Sequence, residues 1–236
     1  MKAIIFAAGL GTRLGELTQH MPKALVKAGG VTLLERAVWK LKQAGVEELI
    51  VNAHHFADQM VDFISQHDFG LPIRISLEKD RLLDTGGGLK HAMHFFGNEP
   101  FFAYNVDIIS DIDLQKMYRF HCGQKATATL AVRNRETQRY LLFDENFQLC
   151  GKENIATNEK NLIPNISQNT YLQRFAFSGI HVISSEIFLF MPAKEVFSIT
   201  ELYLSAAQSQ KIIGFLHNEG RWADMGKVEA VLNYEP

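Results

Sequence analysis

A loop of small and cationic residues near the N-terminus has the residue types of an anion-binding site. It follows an apolar stretch and reads AAGLGTR from Ala7 to Arg13, with Pro22 and Lys23 a few residues further on. Glycine has no Cβ, so a ligand can come close to the backbone N–H groups, and the arginine and lysine attract negative charge. The stretch therefore predicts a loop that wraps a polyphosphate.

Two common phosphate-binding loops do not fit this stretch. The dinucleotide-binding fingerprint needs a third glycine where this chain has Leu14. The P-loop needs Gly-Lys-Ser/Thr at the end of its turn, and no such tripeptide follows Gly9 or Gly11. We therefore expect a glycine-rich loop with separated cations, which holds phosphate without starting a tight helix on it.

Two further features lie near strand ends and belong with this loop. A run of three glycines follows Thr85 and begins a helical pattern, and Asp107 ends the apolar stretch FFAYNVD. Ligands of parallel α/β sheets bind outside the carboxyl ends of the strands. We therefore expect the loop, the glycine run and Asp107 to share one site.

Hydrophobic periodicity predicts the elements that must position these residues. The first 110 residues alternate between short apolar runs and amphipathic stretches, the first of which has a capping box at Thr32 and Glu35. Strands are predicted near residues 2–8, 48–53, 73–78 and 101–107, and helices at 33–44, 58–66 and after Gly88. This order predicts an α/β protein with a Rossmann-like, doubly wound, mostly parallel but mixed sheet.

The second half, residues 111–236, is predicted to extend the same sheet within a single domain, residues 1–236. Its polar stretch, about 150–170, has no clear period. Strands are predicted near 126–132, 140–143 and 174–183, helices near 185–190 and 199–210, and a last strand pair at 212–224.

Composition limits the class of protein. The chain has 236 residues, is 47% hydrophobic and carries a formal net charge of −2, which argues against non-specific nucleic-acid binding. Cys122 and Cys150 form neither a disulfide framework nor a metal-binding pair, so we expect a cytoplasmic protein. The apolar run Ala3–Ala8 is too short for a signal peptide or a membrane span.

Five motifs, taken in order, resemble the sugar-1-phosphate nucleotidyltransferases, also called NDP-sugar pyrophosphorylases. The resemblance covers nearly the whole chain and is weakest at residues 134–172. The motifs are Ala7-Ala8-Gly9-x-Gly11-Thr12-Arg13 with Pro22-Lys23, Thr85-Gly86-Gly87-Gly88, Asp107, Phe177-Ser178-Gly179-Ile180, and Trp222-x-Asp224-x-Gly226. Among the subfamilies, the chain is most similar to the N-acetylmuramate-1-phosphate uridylyltransferases of cell-wall recycling, and mannose-1-phosphate and heptose-1-phosphate guanylyltransferases have similar loops.

The resemblance implies transfer of a nucleotidyl group from an NTP to a sugar 1-phosphate, with Mg²⁺ as cofactor and pyrophosphate as leaving group. It implies catalytic roles for Arg13 at the β- and γ-phosphates and for Lys23 at the α-phosphate, and it makes Asp107 and Asp224 the metal ligands. Its implied partners are the two substrates alone, without nucleic acid or membrane, in a monomer or small homo-oligomer. The chain ends soon after Asp224, so no β-helical acyltransferase domain is expected.

The resemblance also implies how the two halves divide the substrates. Residues 1–110 would form the nucleotide-binding half, with contacts from Ala7, Ala8, Gly9, Gly11, Thr12, Thr85, Gly86 and Gly87. Residues 111–236 would form the sugar-binding half. The implied sugar contacts are Asn105, Lys152, Gly179 and Glu201.

Several alternatives stay open. Val106 stands where the family usually has glycine, and Lys152 is only a candidate for the lysine that holds the sugar phosphate. Glu201 could equally cap a helix with Ser198, and the glycine run could be a turn that starts a helix. A non-catalytic protein that binds a nucleotide or NDP-sugar as a signal is the rival hypothesis. The presence of all four implied catalytic and metal-binding residues favours the enzyme.

Overall fold

The computed structural model describes residues 1–164, 166–167 and 170–235. Fourteen strands and six α-helices are defined in those ranges. The strands are β1 (Lys2–Phe6), β2 (Lys27–Ala28), β3 (Val31–Thr32), β4 (Glu48–Ala53), β5 (Ile73–Leu77), β6 (Phe101–Asn105), β7 (Ile108–Ser110), β8 (Ala128–Arg133), β9 (Arg139–Phe143), β10 (Leu149–Asn154), β11 (Glu159–Leu162), β12 (Gln173–Ile183), β13 (Ile212–Leu216) and β14 (Trp222–Asp224). The α-helices are α1 (Leu33–Gln43), α2 (Ala57–Gln66), α3 (Asp84–His91), α4 (Leu114–Gln124), α5 (Ile199–Ala206) and α6 (Val228–Leu232). Segments of 3₁₀-helix lie at Thr12–Thr18, Lys23–Leu25, Met93–Phe95 and Ser185–Phe190.

The N-terminal apolar run forms a central strand of the main sheet. β1 pairs in parallel with β4 on one side and with β6 on the other, and β4 pairs in parallel with β5. β12 continues the sheet antiparallel to β6, and the path runs on through β9 and β10 to β11. β8 joins β12, and β13 pairs in parallel with β8. The predicted mixed, mostly parallel sheet between helices is confirmed for the strands that surround β1.

Helix α1 shows how the local sequence fixes an element. The amide of Glu35 donates to Thr32 Oγ1 at 3.1 Å, and the amide of Thr32 donates to Glu35 Oε2 at 3.0 Å, which completes the predicted capping box. The apolar stripe of α1 is buried against the sheet, and Gly45 follows its C-terminus with a φ of +91°. Glycine is favoured at that position because only it adopts a positive φ without strain.

Other elements differ from the sequence prediction. Helices α4 and α6 were not expected. The polar stretch contains β10 and the edge strand β11, and its residues 165, 168 and 169 lie outside the described residues. The two strands predicted at 212–224 do form, but β13 pairs with β8 and β14 pairs with β7. Among the described residues, no helix combines the length and the hydropathy needed to cross a membrane.

Candidate active site

A cavity of about 450 Å³ opens at the carboxyl ends of β1 and β6. Parallel strands end together at this edge, so residues that are distant in sequence meet there. The opening loop, the start of α3 and the end of β6 all contribute to its wall. The lining residues are Phe6, Ala7, Gly9, Lys23, Asn52, Leu82, Asp84, Thr85, Asn105, Val106, Asp107 and Val196.

Lys23 and Asp107, which were predicted to act at the α-phosphate and the metal, form an ion pair in this cavity. Lys23 Nζ donates to Asp107 Oδ2, and each side chain is 13% exposed. Burial raises the pKa of Asp107, the nearby charge of Asp224 adds to this effect, and Lys23 opposes it. The pair therefore compensates a carboxylate that would be costly to bury alone.

Asp224 reaches the same place from the other end of the chain. β14 pairs antiparallel with β7, which puts Asp224 opposite Ile108, and the amide of Met225 donates to the carbonyl of Asp107 at 2.8 Å. This small two-stranded sheet is what brings the two predicted metal ligands together.

Arg13 extends this group of charges from the opening loop. Its Nη1 lies 3.8 Å from Asp224 Oδ2. Gly226 makes this contact possible, because a Cβ at that position would lie 2.5 Å from Arg13 Nη2 and 2.7 Å from Asp224 Oδ1. The glycine of the Trp-x-Asp-x-Gly motif therefore leaves room for the arginine.

The amides at the start of the opening loop have a protein partner that sequence reasoning missed. Asn52 Oδ1 accepts hydrogen bonds from the amides of Ala7 at 2.7 Å and Ala8 at 3.3 Å. Asn52 Nδ2 donates in turn to Glu78 Oε1 at 2.7 Å, and Glu78 Oε2 accepts from the amide of Leu83 at 2.9 Å. The amides of Ala7 and Ala8, two residues predicted to contact the nucleotide, are therefore engaged by Asn52 in this structure.

The remaining loop residues divide into two groups. Gly9 lines the cavity, and a Cβ there would meet no atom within 4 Å, so packing does not require glycine at this position. Gly11 has a φ of +68° and precedes the 3₁₀ segment that starts at Thr12, and a Cβ there would lie 2.9 Å from Thr18 Cγ2. Gly11 is therefore explained by the backbone, whereas Gly9 leaves open space beside the cavity.

The glycine run at the start of α3 packs against the segment 195–197. The amides of Gly86 and Gly87 donate to the carbonyl of Phe197 at 3.0 and 3.1 Å. A Cβ on Gly86 would lie 2.4 Å from the Phe197 ring, and one on Gly87 would lie 2.1 Å from the carbonyl oxygen of Glu195. Close helix packing therefore accounts for these glycines without a ligand.

The two residues that precede the glycine run line the cavity. Asp84 and Thr85 both line it, and Thr85 Oγ1 accepts a hydrogen bond from the amide of Ile199 at 3.0 Å. Asp84 has a φ of +60°, which is unusual for a residue with a side chain and is found more often at functional sites.

Asn105 and Gly179, both predicted to contact the sugar, lie next to each other. Gly179 has a φ of +75° in an irregular part of β12, between Phe177 and His181. A Cβ at Gly179 would lie 2.8 Å from Asn105 Nδ2, so glycine lets β12 approach the end of β6. We expected the sugar to approach Gly179 closely, and in this structure the Asn105 side chain lies there.

Glu201 and Lys152, the other two predicted sugar contacts, are not part of the cavity wall. The amide of Glu201 donates to Ser198 Oγ at 3.2 Å, and its carboxylate forms an ion pair with Lys194. Lys152 lies on β10 towards the edge of the sheet, opposite Leu141 and Asn161.

The donor set at the strand ends is suited to a metal that substrate completes. The described part of the chain contains no group of three or more His, Cys, Asp and Glu side chains that could hold a metal ion. Mg²⁺ needs no such group, because it takes one or two protein carboxylates and fills its other positions with phosphate oxygens and water. Asp107 and Asp224 together meet that requirement.

Comparisons with known proteins identify the family of this chain. The sequence model of the Nucleotidyl transferase family matches residues 2–236 of this chain. N-acetylmuramate alpha-1-phosphate uridylyltransferase from Caulobacter vibrioides is 30% identical, over 99% of this chain and 95% of that protein. D-glycero-alpha-D-manno-heptose 1-phosphate guanylyltransferase from Aneurinibacillus thermoaerophilus is 25% identical, over 96% of this chain and 93% of that protein.

Solved structures agree with the fold. The crystal structure of HddC from Yersinia pseudotuberculosis superposes with a TM-score of 0.77 at 21% identity, and the match covers 99% of this chain and 97% of that one. The family match spans nearly the whole chain, as does the likeness to the Caulobacter vibrioides enzyme. The chain therefore belongs to the Nucleotidyl transferase family, as its motifs predicted.

Proposed function

We propose that this protein transfers a nucleotidyl group from an NTP to a sugar 1-phosphate, and that UTP and N-acetylmuramate 1-phosphate are its substrates. The observation that carries the proposal is the meeting of two carboxylates and two cations, listed in chain order as Arg13, Lys23, Asp107 and Asp224, at the strand ends. The choice of base and sugar rests on the 30% identity to the Caulobacter vibrioides uridylyltransferase.

The chemistry joins two polyanions. An oxygen of the sugar phosphate attacks the α-phosphorus of the NTP, a new P–O bond forms, and the bond to the β-phosphate oxygen breaks with release of pyrophosphate. Charge neutralisation and in-line positioning carry most of the catalysis in such transfers. The nucleotide-binding half, residues 1–110, and the sugar-binding half, residues 111–236, would together hold the two substrates in line.

The two cations have separate tasks in this proposal. Lys23 lies in the cavity wall, where its ammonium group would contact the α-phosphate and stabilise the negative charge that builds up during transfer. Arg13 lies further out, beside Asp224, where it would hold the β- and γ-phosphates and then the departing pyrophosphate.

Asp107 and Asp224 would hold Mg²⁺, which supplies neutralisation of phosphate charge when bound. Burial favours the protonated form of Asp107, and the ammonium group of Lys23 opposes this effect. Lys23 therefore helps to keep the ionised carboxylate that a hard cation requires.

Localisation in the cytoplasm belongs to the same proposal. Cys122 and Cys150 are both free thiols in the structure, as suits a reducing compartment.

The test is a matrix of the four common NTPs against a panel of sugar 1-phosphates with Mg²⁺, read as pyrophosphate release. We expect the highest kcat/KM with UTP and N-acetylmuramate 1-phosphate. A higher value with GTP and mannose or heptose 1-phosphate would change the substrates but keep the reaction. Nucleotide binding without pyrophosphate release from any pair would instead favour a regulatory protein.

A further inference from the structure

Arg135 lies just past the carboxyl end of β8 and stacks on Trp222. Its guanidinium carbon is 4.4 Å from the centre of the Trp222 ring. The indole N–H of Trp222, a residue of β14, donates to the carbonyl of Ser178 in β12 at 3.0 Å, which holds the ring against β12. Trp222 is in the same short strand as Asp224, so the stack places the guanidinium beside the group of charges described above.

The hydrogen-bonding capacity of this guanidinium is only partly used. Nη2 donates to the carbonyl of Phe177 at 3.2 Å, and Nη1 donates to the carbonyl of Glu136 at 3.4 Å. The Nε–H is buried and has no partner among the residues that the structure describes. A guanidinium has five N–H donors, and a buried donor without an acceptor is destabilising.

The positive charge of Arg135 is only partly compensated by its surroundings. Burial is the main cause that lowers the pKa of Arg135, the charge of Arg133 acts in the same direction, and Asp224 acts against both. Arg133 itself has a buried Nη1 without a partner in the described ranges, and its Nη2 donates to the carbonyl of Asn218 at 3.2 Å. The charges of Arg135 and Arg13 thus both interact with the one carboxylate of Asp224.

We propose that Arg135 binds the phosphate group of the sugar 1-phosphate. The position is on the predicted sugar side, because the Phe177 carbonyl that Arg135 contacts is two residues before Gly179, which touches Asn105. A planar guanidinium with unused donors matches phosphate oxygens, and the aromatic stack keeps it in place. Lys152, which the resemblance suggested for this role, lies on β10 towards the edge of the sheet, opposite Leu141 and Asn161. Arg135 instead stacks on the strand that carries Asp224.

This inference rests on the proposed transfer reaction, and steady-state kinetics can separate the two. The test compares the wild-type protein with Arg135→Gln, with Arg135→Lys and with the control Arg139→Gln. Arg139 is exposed at the start of β9 and carries the same charge. UTP is the nucleotide, and the sugar substrates are N-acetylmuramate 1-phosphate and N-acetylglucosamine 1-phosphate, which lacks the lactyl carboxylate.

We expect Arg135→Gln to raise KM for both sugar phosphates by about tenfold or more, since a charge-assisted hydrogen bond is lost. KM for UTP and all values for Arg139→Gln should stay at the wild-type level. Arg135→Lys keeps the charge but not the planar arrangement of donors. Its KM for the sugar phosphates should therefore lie between that of the wild-type protein and that of Arg135→Gln. If circular dichroism shows that Arg135→Gln does not fold, Arg135→Lys alone decides, by its KM for the sugar phosphates.

Four results would contradict the inference. An unchanged KM for the sugar phosphates in the folded variant would show that Arg135 only packs against Trp222. A rise for N-acetylmuramate 1-phosphate alone would assign Arg135 to the carboxylate, and a rise for UTP alone would assign it to the nucleotide. A wild-type protein without turnover on any pair would remove the proposed function and this inference together.

Discussion

Lys23 and Asp107 form an ion pair between two side chains that are each 13% exposed, although one belongs to the opening loop and the other follows β6. The pair ties the loop to the strand end at the place where the α-phosphate is expected. Loss of one partner would leave a buried charge without compensation, which is strongly destabilising in proteins. Effects of Lys23 on stability and on rate must therefore be measured separately.

The first prediction concerns Lys23. We expect Lys23→Ala to lower kcat by about a hundredfold or more, because the ammonium group stabilises charge that develops in the transfer step. KM for the nucleotide should change much less. Pyrophosphate release at saturating substrates measures the effect, and Lys27→Ala, at an exposed lysine of β2, is the control. A large rise in KM with normal kcat would limit Lys23 to substrate docking.

The second prediction concerns the two carboxylates. Asp107→Asn and Asp224→Asn should each cost about 3 kcal/mol of transition-state stabilisation, because each removes a negative ligand of Mg²⁺ without changing side-chain shape. The double variant should be little slower than either single variant, since the metal is already misplaced after one change.

The rates are measured at saturating Mg²⁺, and circular dichroism confirms folding. Asp62→Asn, at an exposed position in α2, is the matched control and should have the wild-type rate. A near-normal rate in either single variant would take that residue out of the proposed metal site.

The third prediction concerns Asn52, which holds the amides of Ala7 and Ala8 and is itself held by Glu78. Asn52→Ala leaves these buried groups without a partner, so the free energy of unfolding should fall by about 1–3 kcal/mol. The opening loop should also lose its position, and KM for the nucleotide should rise. Urea denaturation and kinetics measure the two effects.

Asn98→Ala, at an exposed position, is the control for Asn52 and should change neither quantity. If Asn52→Ala lowered stability but left KM for the nucleotide unchanged, the network would stabilise the fold without positioning the loop.

Local patterns were sufficient to predict some elements and not others. α1 could be predicted because its capping box and apolar stripe lie within one stretch of sequence. α4 could not, because His121 occupies one of its three buried positions and breaks the apolar pattern. The edge strand β11 is exposed along its whole length, so it has no alternation to detect.

In the candidate site, too, sequence motifs predicted some residues and missed others. The motifs pointed to Asp107 and Asp224, and the pairing of β7 with β14 explains why they meet. The network of Asn52 and Glu78 was missed because its members are polar residues whose partners are distant in sequence. A polar residue near the end of the apolar strand β4 was the one available signal.

The fourth prediction compares glycines that differ in their surroundings. Gly87→Ala should lower the free energy of unfolding by several kcal/mol, because the new Cβ would lie 2.1 Å from the carbonyl oxygen of Glu195. Gly123→Ala, in α4, should raise it by about 0.5–1 kcal/mol, because the Cβ there meets nothing within 4 Å and alanine favours helix. Thermal and urea denaturation measure both, and equal effects would contradict the packing argument.

The fifth prediction concerns the pH dependence of stability. His121 is buried, with its ring nitrogens 2.9 Å from Thr129 Oγ1 and from Ser184 Oγ. Burial lowers the pKa of His121 to about 4, and burial lowers the pKa of His181 to about 3. In the unfolded chain a histidine has a pKa of about 6.5.

Between pH 6.5 and 4 the unfolded state therefore binds protons that the folded state does not, so stability falls as the pH falls. Each histidine should contribute a loss of about 2 kcal/mol between pH 7 and pH 5. Urea denaturation across this range should show a smaller loss for His121→Asn than for the wild-type protein. His94→Asn, at an exposed position, should follow the wild-type curve. If His121→Asn and the wild-type protein lost the same free energy on acidification, protonation of His121 would not couple to unfolding. Carboxyl groups, His181 or His217, whose pKa burial also lowers to about 4, would then have to explain the loss.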